Sequence, residues 1–287
     1  MKKIILFFTL LILFSAFKSD KPAYRIFNSK GKAVKYKKML KDLSDAQVIF
    51  FGELHNNPID HWLELEITRD LYKIKKGKIV LGAEMFESDN QLLIDEFLNG
   101  KISKKSFDAE ARLWPNYKTD YQPLLLFAKK HHVKFIATNI PRRYASVVYK
   151  KGFKGLDSLS VKAKEYIAPL PIVYNPNIKC YKDMLTQMKM MGHANANLPK
   201  AQAIKDATMA YYISKNAGKG RLFIHYNGAY HSENFQGIIW YLKRYNHDLK
   251  IMTITSVEQP SVDSLQQNNK GLADFIIATP NRMTKTY

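Results

Sequence analysis

The chain of 287 residues contains a single cysteine, Cys180, so no disulfide can form within it. Stability must therefore come from a hydrophobic core, and 46% hydrophobic residues are enough to build one. A lone cysteine in a segment with tyrosine and methionine is most often a small buried side chain. The sequence thus argues for a conventional core and against a thiolate nucleophile.

Several motifs of common enzymes are also missing. The chain has no glycine-rich loop of the kind that binds dinucleotides or phosphates. It has no nucleophile elbow of the Gly-x-Ser-x-Gly type. We therefore expect neither a nucleotide cofactor nor serine-hydrolase chemistry.

Acidic residues are scarce relative to basic ones. The chain carries 45 Lys and Arg against 25 Asp and Glu, a formal net charge of +20. Such a charge attracts anions. The lysines are spread along the whole chain, and no basic block or RNA-binding aromatic motif accompanies them, so no nucleic-acid partner is expected.

The longest apolar run lies at the beginning of the chain. Residues 1–3 are Met-Lys-Lys, and residues 4–17 are apolar except for Thr9 and Ser15. This run is too short to cross a membrane comfortably, and it predicts a secretory signal peptide over residues 1–19. The alternative is an uncleaved anchor. Either way the folded body would lie beyond the cytoplasmic membrane, in the periplasm or the cell envelope.

Apolar, β-branched runs that end at ionisable residues are the main feature that is present. These runs are residues 48–51 before Gly52-Glu53-Leu54-His55, residues 79–81 before Gly82-Ala83-Glu84-Met85-Phe86, residues 133–137 before Asn139-Ile140-Pro141-Arg142-Arg143, and residues 222–224 before His225-Tyr226-Asn227-Gly228-Ala229-Tyr230-His231. Such runs are typical of strands buried on both faces. Segments with helical spacing alternate with them, which predicts an α/β fold with a mostly parallel central sheet and helices on both faces.

The predicted body is one domain, residues 20–287. A fifth strand is expected at residues 250–255 and an edge strand at residues 275–279. Residues 142–219 contain no obvious strand, and we interpret them as a helical cap inserted over the rim of the sheet.

The carboxyl ends of parallel strands meet at one rim, where ligands of open α/β sheets bind. Glu53 and His55 are two residues apart, which places both side chains on the same side of an extended chain. With Glu84 and His231 they predict a site that binds a divalent metal or in which His55 acts as a general base. Arg142 is the better candidate of an arginine pair to hold an anionic group. The competing interpretation for Glu53 and His55 is a buried helix cap and a structural histidine.

A second candidate site surrounds His193, which lies between two predicted helices. Four methionines precede it, at positions 184, 188, 190 and 191. Methionine at this spacing is most often core filler. Methionine and aromatic side chains around one accessible histidine also form pockets for a flat apolar ligand such as haem.

Taken in order, these motifs resemble the ChaN family of haem-binding uptake proteins. The resemblance adds Gly192-His193, Leu198-Pro199, Ala201-Gln202 and Asp206-Ala207-Thr208-Met209-Ala210 to the strand-end motifs, and it extends from about residue 47 to residue 240. It implies a parallel α/β core with a helical cap, and haem binding at a dimer interface in some members. The wider superfamily includes erythromycin esterases and Tiki/TraB proteases, which implies hydrolysis or metal binding at the rim.

Carried over by position, Glu53, His55, Glu84 and His231 match the rim residues of the superfamily, and His193 matches a cap histidine. We expect His193, Tyr230 and Arg143 to contact haem. Two departures stand out. The chain lacks the lipoprotein cysteine, and its last motif is longer than the Asn-Gly-His of many members.

The sequence leaves three functions open. The first is an exported haem-binding protein of iron acquisition, which would act as a homodimer with membrane-associated uptake machinery. The second is a hydrolase, an esterase or peptidase, in which His55 activates water and Arg142 stabilises negative charge. The third and weakest is a surface protein that uses its positive charge alone.

Overall fold

The computed structural model describes residues 21–192, 195–218 and 220–287. The predicted signal peptide and His193 lie outside these residues. Seven strands form one sheet: β1 (Arg25–Asn28), β2 (Val48–Glu53), β3 (Ile79–Glu87), β4 (Lys134–Asn139), β5 (Leu222–Gly228), β6 (Ile251–Gln259) and β7 (Phe275–Pro280). Their order is β1-β7-β6-β2-β5-β3-β4, and every neighbouring pair is parallel except β1 with β7. The predicted α/β fold with a mostly parallel sheet is therefore confirmed.

Ten α-helices connect and cover the described strands. They are α1 (Tyr36–Ser44), α2 (Pro58–Ile74), α3 (Gln91–Leu98), α4 (Lys104–Glu110), α5 (Gln122–His131), α6 (Arg142–Lys151), α7 (Val161–Lys164), α8 (Lys179–Met190), α9 (Leu198–Asn216) and α10 (Ile238–Tyr245). Within the described ranges, no helix is both long and apolar enough to cross a bilayer.

The central strands are buried on both faces because alternate side chains enter two different cores. Phe51 of β2 packs in the core that includes Leu63 and Ile67 of α2. Its neighbour Phe50 points the other way and packs in the core that includes Ala207 of α9 and Leu242 of α10. This alternation explains why β2 reads as a continuous apolar run rather than as an amphipathic strand.

The first elements of the body were not predicted from the sequence. Strand β1 is four residues long and lies at the sheet edge, and helix α1 contains three lysines. Helix α1 is nonetheless anchored, because Met39 and Leu43 are buried. Short edge elements carry few apolar residues, which leaves little periodicity to recognise.

The strand register brings the ionisable side chains of the sheet together at one rim. Glu53, the last residue of β2, pairs with Gly228, the last residue of β5. Strand β3 lies on the other side of β5, with Ala83 opposite Tyr226. Glu84 follows directly, in the part of β3 that extends beyond its pairing with β5, so Glu53 and Glu84 lie on either side of Gly228.

Candidate functional site

Glu53 and His55 form a hydrogen-bonded pair at the end of β2. The Nδ1 atom of His55 lies 2.8 Å from Oε1 of Glu53, and the hydroxyl of Tyr121 donates to the same oxygen at 2.7 Å. Glu53 is buried, whereas 33% of the His55 side chain is exposed. The buried carboxylate therefore fixes the orientation of an imidazole that reaches solvent.

The ring of His55 is confined on two sides. Trp114 meets it edge to face, with ring centroids 4.9 Å apart. On another side lies Gly228, where a Cβ atom would stand 2.6 Å from Nε2 of His55. Only glycine at position 228 leaves this space to the ring.

Burial disfavours the imidazolium form of His55. The hydrogen bond to Glu53 and the charge of Glu84 outweigh burial, so the pKa of His55 is raised above its ordinary value.

Glu84, His231 and Asp206 form a second, fully buried group beneath the rim. The His231 Nε2 atom lies 3.1 Å from Glu84 Oε1, and its Nδ1 atom lies 2.5 Å from Asp206 Oδ1. The backbone N–H of Gly228 donates to the other oxygen of Glu84 at 2.8 Å. Asp206 also accepts a hydrogen bond from the hydroxyl of Tyr181 at 2.7 Å.

Two carboxylates around one imidazole favour the charged form of His231. Burial alone would lower the pKa of His231, but the charges of Glu84 and Asp206 raise it to about 10. For Glu84, burial is outweighed by the nearby His231 charge, so the pKa of this carboxyl is held well below its usual range. His231 is therefore an imidazolium at neutral pH, clamped between two acids.

A cleft of about 430 Å³ opens at this rim. Its lining residues are Glu53, Leu54, His55, Asn56, Gly228, Ala229, Tyr230, His231 and Tyr287. Glu84 lies below the cleft, where its carboxylate accepts a hydrogen bond from the Gly228 N–H. The four rim residues chosen from the sequence thus gather around Gly228, as two hydrogen-bonded groups rather than as one four-ligand set.

A third group lies behind Glu53 and centres on His61 of α2. The Nδ1 atom of His61 lies 3.3 Å from Glu64 Oε2 and 3.8 Å from Glu53 Oε2. Its Nε2 atom lies 3.0 Å from the backbone carbonyl oxygen of His55 and 3.3 Å from Asp120 Oδ2. Within the described residues this is the one set of three or more His, Cys, Asp or Glu side chains whose ligand atoms all lie within 4.8 Å of one another.

The arginine pair lies beside the rim. Arg142 and Arg143 line a second cavity, of about 500 Å³, together with Trp114. Arg143 forms a salt bridge to Asp89 at 2.7 Å. Over the part of the chain that is described, Arg142 has no acidic partner within salt-bridge distance.

Tyr230 contributes to the wall of the first cleft, and its hydroxyl donates to the backbone carbonyl of Cys180. Burial raises the pKa of Tyr230, so this phenol remains protonated at neutral pH. Cys180 itself is buried and its thiol pKa is raised to about 12, mainly by burial.

Sequence reasoning missed Asp206, His61, Glu64 and Asp120 as parts of these groups. The His61 and Glu64 pair carried a usable signal, because residues three apart on a helix share a face. Asp206 lies on α9, far from His231 in sequence, and only the packing of that helix brings the two together.

A family model described as haem-binding uptake, Tiki superfamily, ChaN, matches residues 39–242. The chain belongs to the ChaN family. The resemblance stated from the motifs is thereby confirmed, and the matched region contains all three groups of the site.

Solved structures agree with this fold. ChaN of Campylobacter jejuni, a structure with cofacial haem, is 16% identical, with a TM-score of 0.68 over 90% of this chain and 97% of that one. A succinoglycan biosynthesis protein is 11% identical, with a TM-score of 0.50 over 85% of this chain and 90% of that one. At these identities the likeness shows the fold alone.

A plant protein is also similar. The chloroplastic RETICULATA-RELATED 5 protein of Arabidopsis thaliana is 26% identical over 214 residues, which is 69% of this chain. This ChaN-family chain spans only 29% of the length of that plant protein.

Proposed function

We propose that this protein is an exported haem-binding protein of iron acquisition that holds haem at the cleft of His55. The observation that carries the proposal is the state of the His55 ring. Its Nδ1 atom is fixed by Glu53, and its Nε2 atom has no hydrogen-bond partner among the described residues. An imidazole held by a carboxylate through one nitrogen, with the other nitrogen free, is the usual arrangement of a histidine that ligates a metal.

The surroundings of His55 fit haem. Tyr287 lines the cleft, and Trp114 packs against the His55 ring from the neighbouring cavity. The absence of a side chain at Gly228 makes room for the His55 ring at the end of β5. Arg142 lies next to Trp114 with a guanidinium that is free to pair with a propionate. Bound haem would supply the iron and a flat apolar surface. The chain would orient His55 through Glu53, and Arg142 would neutralise a propionate of the haem.

The ChaN structure from Campylobacter jejuni holds haem cofacially, and we extend that arrangement to a homodimer of this chain. The cleft lies at the open rim of the sheet, so a second copy facing it would cover haem on both sides. A homodimer that forms or tightens when haemin is added, measured by sedimentation or light scattering, is the expected result.

Haemin titration tests the binding site directly. The wild type is expected to give a saturable Soret shift at micromolar haemin, and His55→Ala to weaken binding about tenfold or more, since removal of a metal-site partner commonly costs this much. His247→Ala is the matched control, because His247 is exposed and precedes β6, at the opposite end of the strands. Equal binding by wild type and His55→Ala would contradict the proposal for this cleft.

Export and a role in iron uptake are proposed from the first 19 residues and from family membership. Expression with the natural N-terminus in a bacterium, followed by fractionation and mass spectrometry, is expected to yield an envelope or periplasmic protein that begins between residues 16 and 20. A cytoplasmic protein with an intact N-terminus would contradict export, and it would leave haem binding itself unaffected.

A hydrolase is the second candidate, supported by the Glu53 and His55 pair. A carboxylate that fixes Nδ1 leaves Nε2 to remove a proton from water, and His231 beside Glu84 supplies a buried positive charge at the same cleft. A screen of esters and peptides, compared between wild type and His55→Ala, tests it. Activity that survives in His55→Ala would exclude His55 as the general base.

A further inference from the structure

Helix α2 directs two ionisable side chains toward the end of β2. Asn57 caps the helix by accepting from the Ile59 N–H at 3.0 Å, and Pro58 occupies its first turn. His61 and Glu64 follow three residues apart, so both face Glu53. All three side chains are at least 95% buried, which places them behind the cleft rather than in it.

This interior region holds more carboxyl groups than basic side chains. Four carboxylates lie in it, those of Glu53, Asp60, Glu64 and Asp120, and all four are buried. The imidazole of His61 is the one basic side chain that contacts Glu53, Glu64 and Asp120 together within the described ranges.

Three buried carboxylate oxygens in this interior region lack a hydrogen-bond partner. The buried atoms Glu53 Oε2, Glu64 Oε1 and Asp60 Oδ1 have no hydrogen-bond partner among the described residues. Unpaired buried oxygens are costly, and a cluster of them in a native fold indicates a missing ligand or proton. Two of the three belong to the carboxylates that face His61.

The contacts of His61 direct both ring nitrogens toward oxygen atoms. Its Nε2 atom lies 3.0 Å from the carbonyl oxygen of His55, which can only accept a hydrogen bond. Its Nδ1 atom faces the carboxylates of Glu64 and Glu53, at 3.3 Å and 3.8 Å. At that position Nδ1 either donates a hydrogen bond to Glu64 or offers a lone pair to a cation held between the two carboxylates.

We infer that Glu53, His61 and Glu64 bind a divalent transition-metal ion in the interior of the protein. Asp120 acts as a positioning residue, since it lies against Nε2 of His61, and second partners of this kind orient ligating imidazoles. One nitrogen and two carboxylate oxygens suit Mn²⁺, Fe²⁺ or Zn²⁺, whereas Ca²⁺ and Mg²⁺ prefer oxygen alone.

The distances leave room for such an ion. In a tetrahedral or octahedral shell with bonds of about 2.1 Å, neighbouring ligand atoms lie roughly 3.0–3.4 Å apart. The Nδ1 atom of His61 lies 3.3 Å and 3.8 Å from its two carboxylate partners, so a contraction of a few tenths of an ångström brings it to ligand spacing from both. The interior site is distinct from the haem cleft, because its ligands other than Glu53 do not line that cleft.

An interior ion would also act on the cleft. Glu53 would contact the ion through Oε2 while Oε1 holds His55, so one carboxylate links the two sites. The ion would then stiffen the orientation of His55 without touching any ligand in the cleft.

The test is Mn²⁺ binding to the chelator-treated full-length protein. Equilibrium dialysis with elemental analysis, and the electron paramagnetic resonance signal of free Mn²⁺, give the stoichiometry and affinity. We expect one equivalent to bind, and Glu64→Gln to weaken binding about 100-fold, as the loss of a metal-site partner can. Glu66→Gln, on the same helix and paired on the surface with Arg69, is the matched control and is expected to bind as the wild type does.

The results distinguish an interior ion from bound protons and from an ion at the rim. Failure of the wild type to bind one equivalent of Mn²⁺ or Zn²⁺ would overturn the inference and show that protons balance the cluster. Loss of binding in Glu84→Gln but not in Glu64→Gln would place the ion at the rim instead. Circular dichroism of Glu64→Gln excludes unfolding, and Co²⁺ absorption of the wild type reports an imidazole and carboxylate environment independently of any variant.

Discussion

His55 and Gly228 are in such close contact that a methyl group on residue 228 would occupy the place of the imidazole, 2.6 Å from its Nε2 atom. The backbone of Gly228 has φ −56°, which any residue adopts, so the glycine is required by space and not by conformation. The end of β5 is thus shaped around the ring of His55.

Gly228→Ala is therefore expected to displace His55 and to weaken haemin binding about as much as His55→Ala does, on the order of tenfold. Haemin titration measures the effect. The double variant supplies the control, because in a His55→Ala background the added methyl group meets no ring and is expected to cost nothing more in affinity. Additive losses in the double variant would refute this explanation.

Haem affinity is expected to rise with pH through the pKa of His55. Iron binds the neutral imidazole, and the hydrogen bond to Glu53 raises the pKa of His55 against the effect of burial, so protons compete with iron up to a higher pH than they would at an ordinary histidine. Glu53→Gln removes that charge, and the midpoint of the haemin-binding curve should move to lower pH. Glu66→Gln, a change at a half-buried surface position of α2 that pairs with Arg69, is expected to leave the midpoint in place.

Folding stability is expected to depend on pH through His231. Its pKa is about 10 in the folded protein against 6.5 as an ordinary value. A raised pKa contributes stability that is complete below pH 6.5 and is lost as the pH rises through about 10. Between these values the free energy of unfolding should fall by up to about 1.4 kcal/mol per pH unit from this group.

Urea unfolding at several pH values, compared between wild type and His231→Gln, isolates this contribution. The difference between the two proteins should shrink as the pH rises from 6.5 to 10. A difference that stays constant over that interval would show that His231 is not charged in the folded state.

Asp206→Asn is expected to destabilise the protein by about 1.5–3 kcal/mol, because it removes a charge-assisted hydrogen bond to His231 while Glu84 still pairs with that imidazolium. Asp183→Asn is the surface comparison, since Asp183 pairs with Lys179 on the exposed side of α8 and should cost at most about 1 kcal/mol. Denaturant unfolding at pH 7 measures both. Equal losses would mean that the buried pairing does not stabilise the fold.

The apolar runs of the sequence located β2 to β5 because strands buried on both faces leave little freedom in composition. The same runs fixed the place of Glu53, His55, Glu84 and His231, since parallel strands of one sheet end at one rim. The weakly patterned edge strand β1 and the lysine-rich α1 gave no comparable signal.

By itself the sequence determined the strands of the sheet other than β1 and the ionisable side chains that follow them, because an apolar run and the residues after it are local properties of the chain. The strand at residues 275–279, expected at the edge, lies inside the sheet because β1 pairs with its outer side. Only the tertiary structure decided how those side chains pair: Asp206 with His231, and His61 with Glu53, Glu64 and Asp120. Such pairs join residues on different elements, and their contacts depend on how α2 and α9 pack against the sheet, which no local pattern encodes.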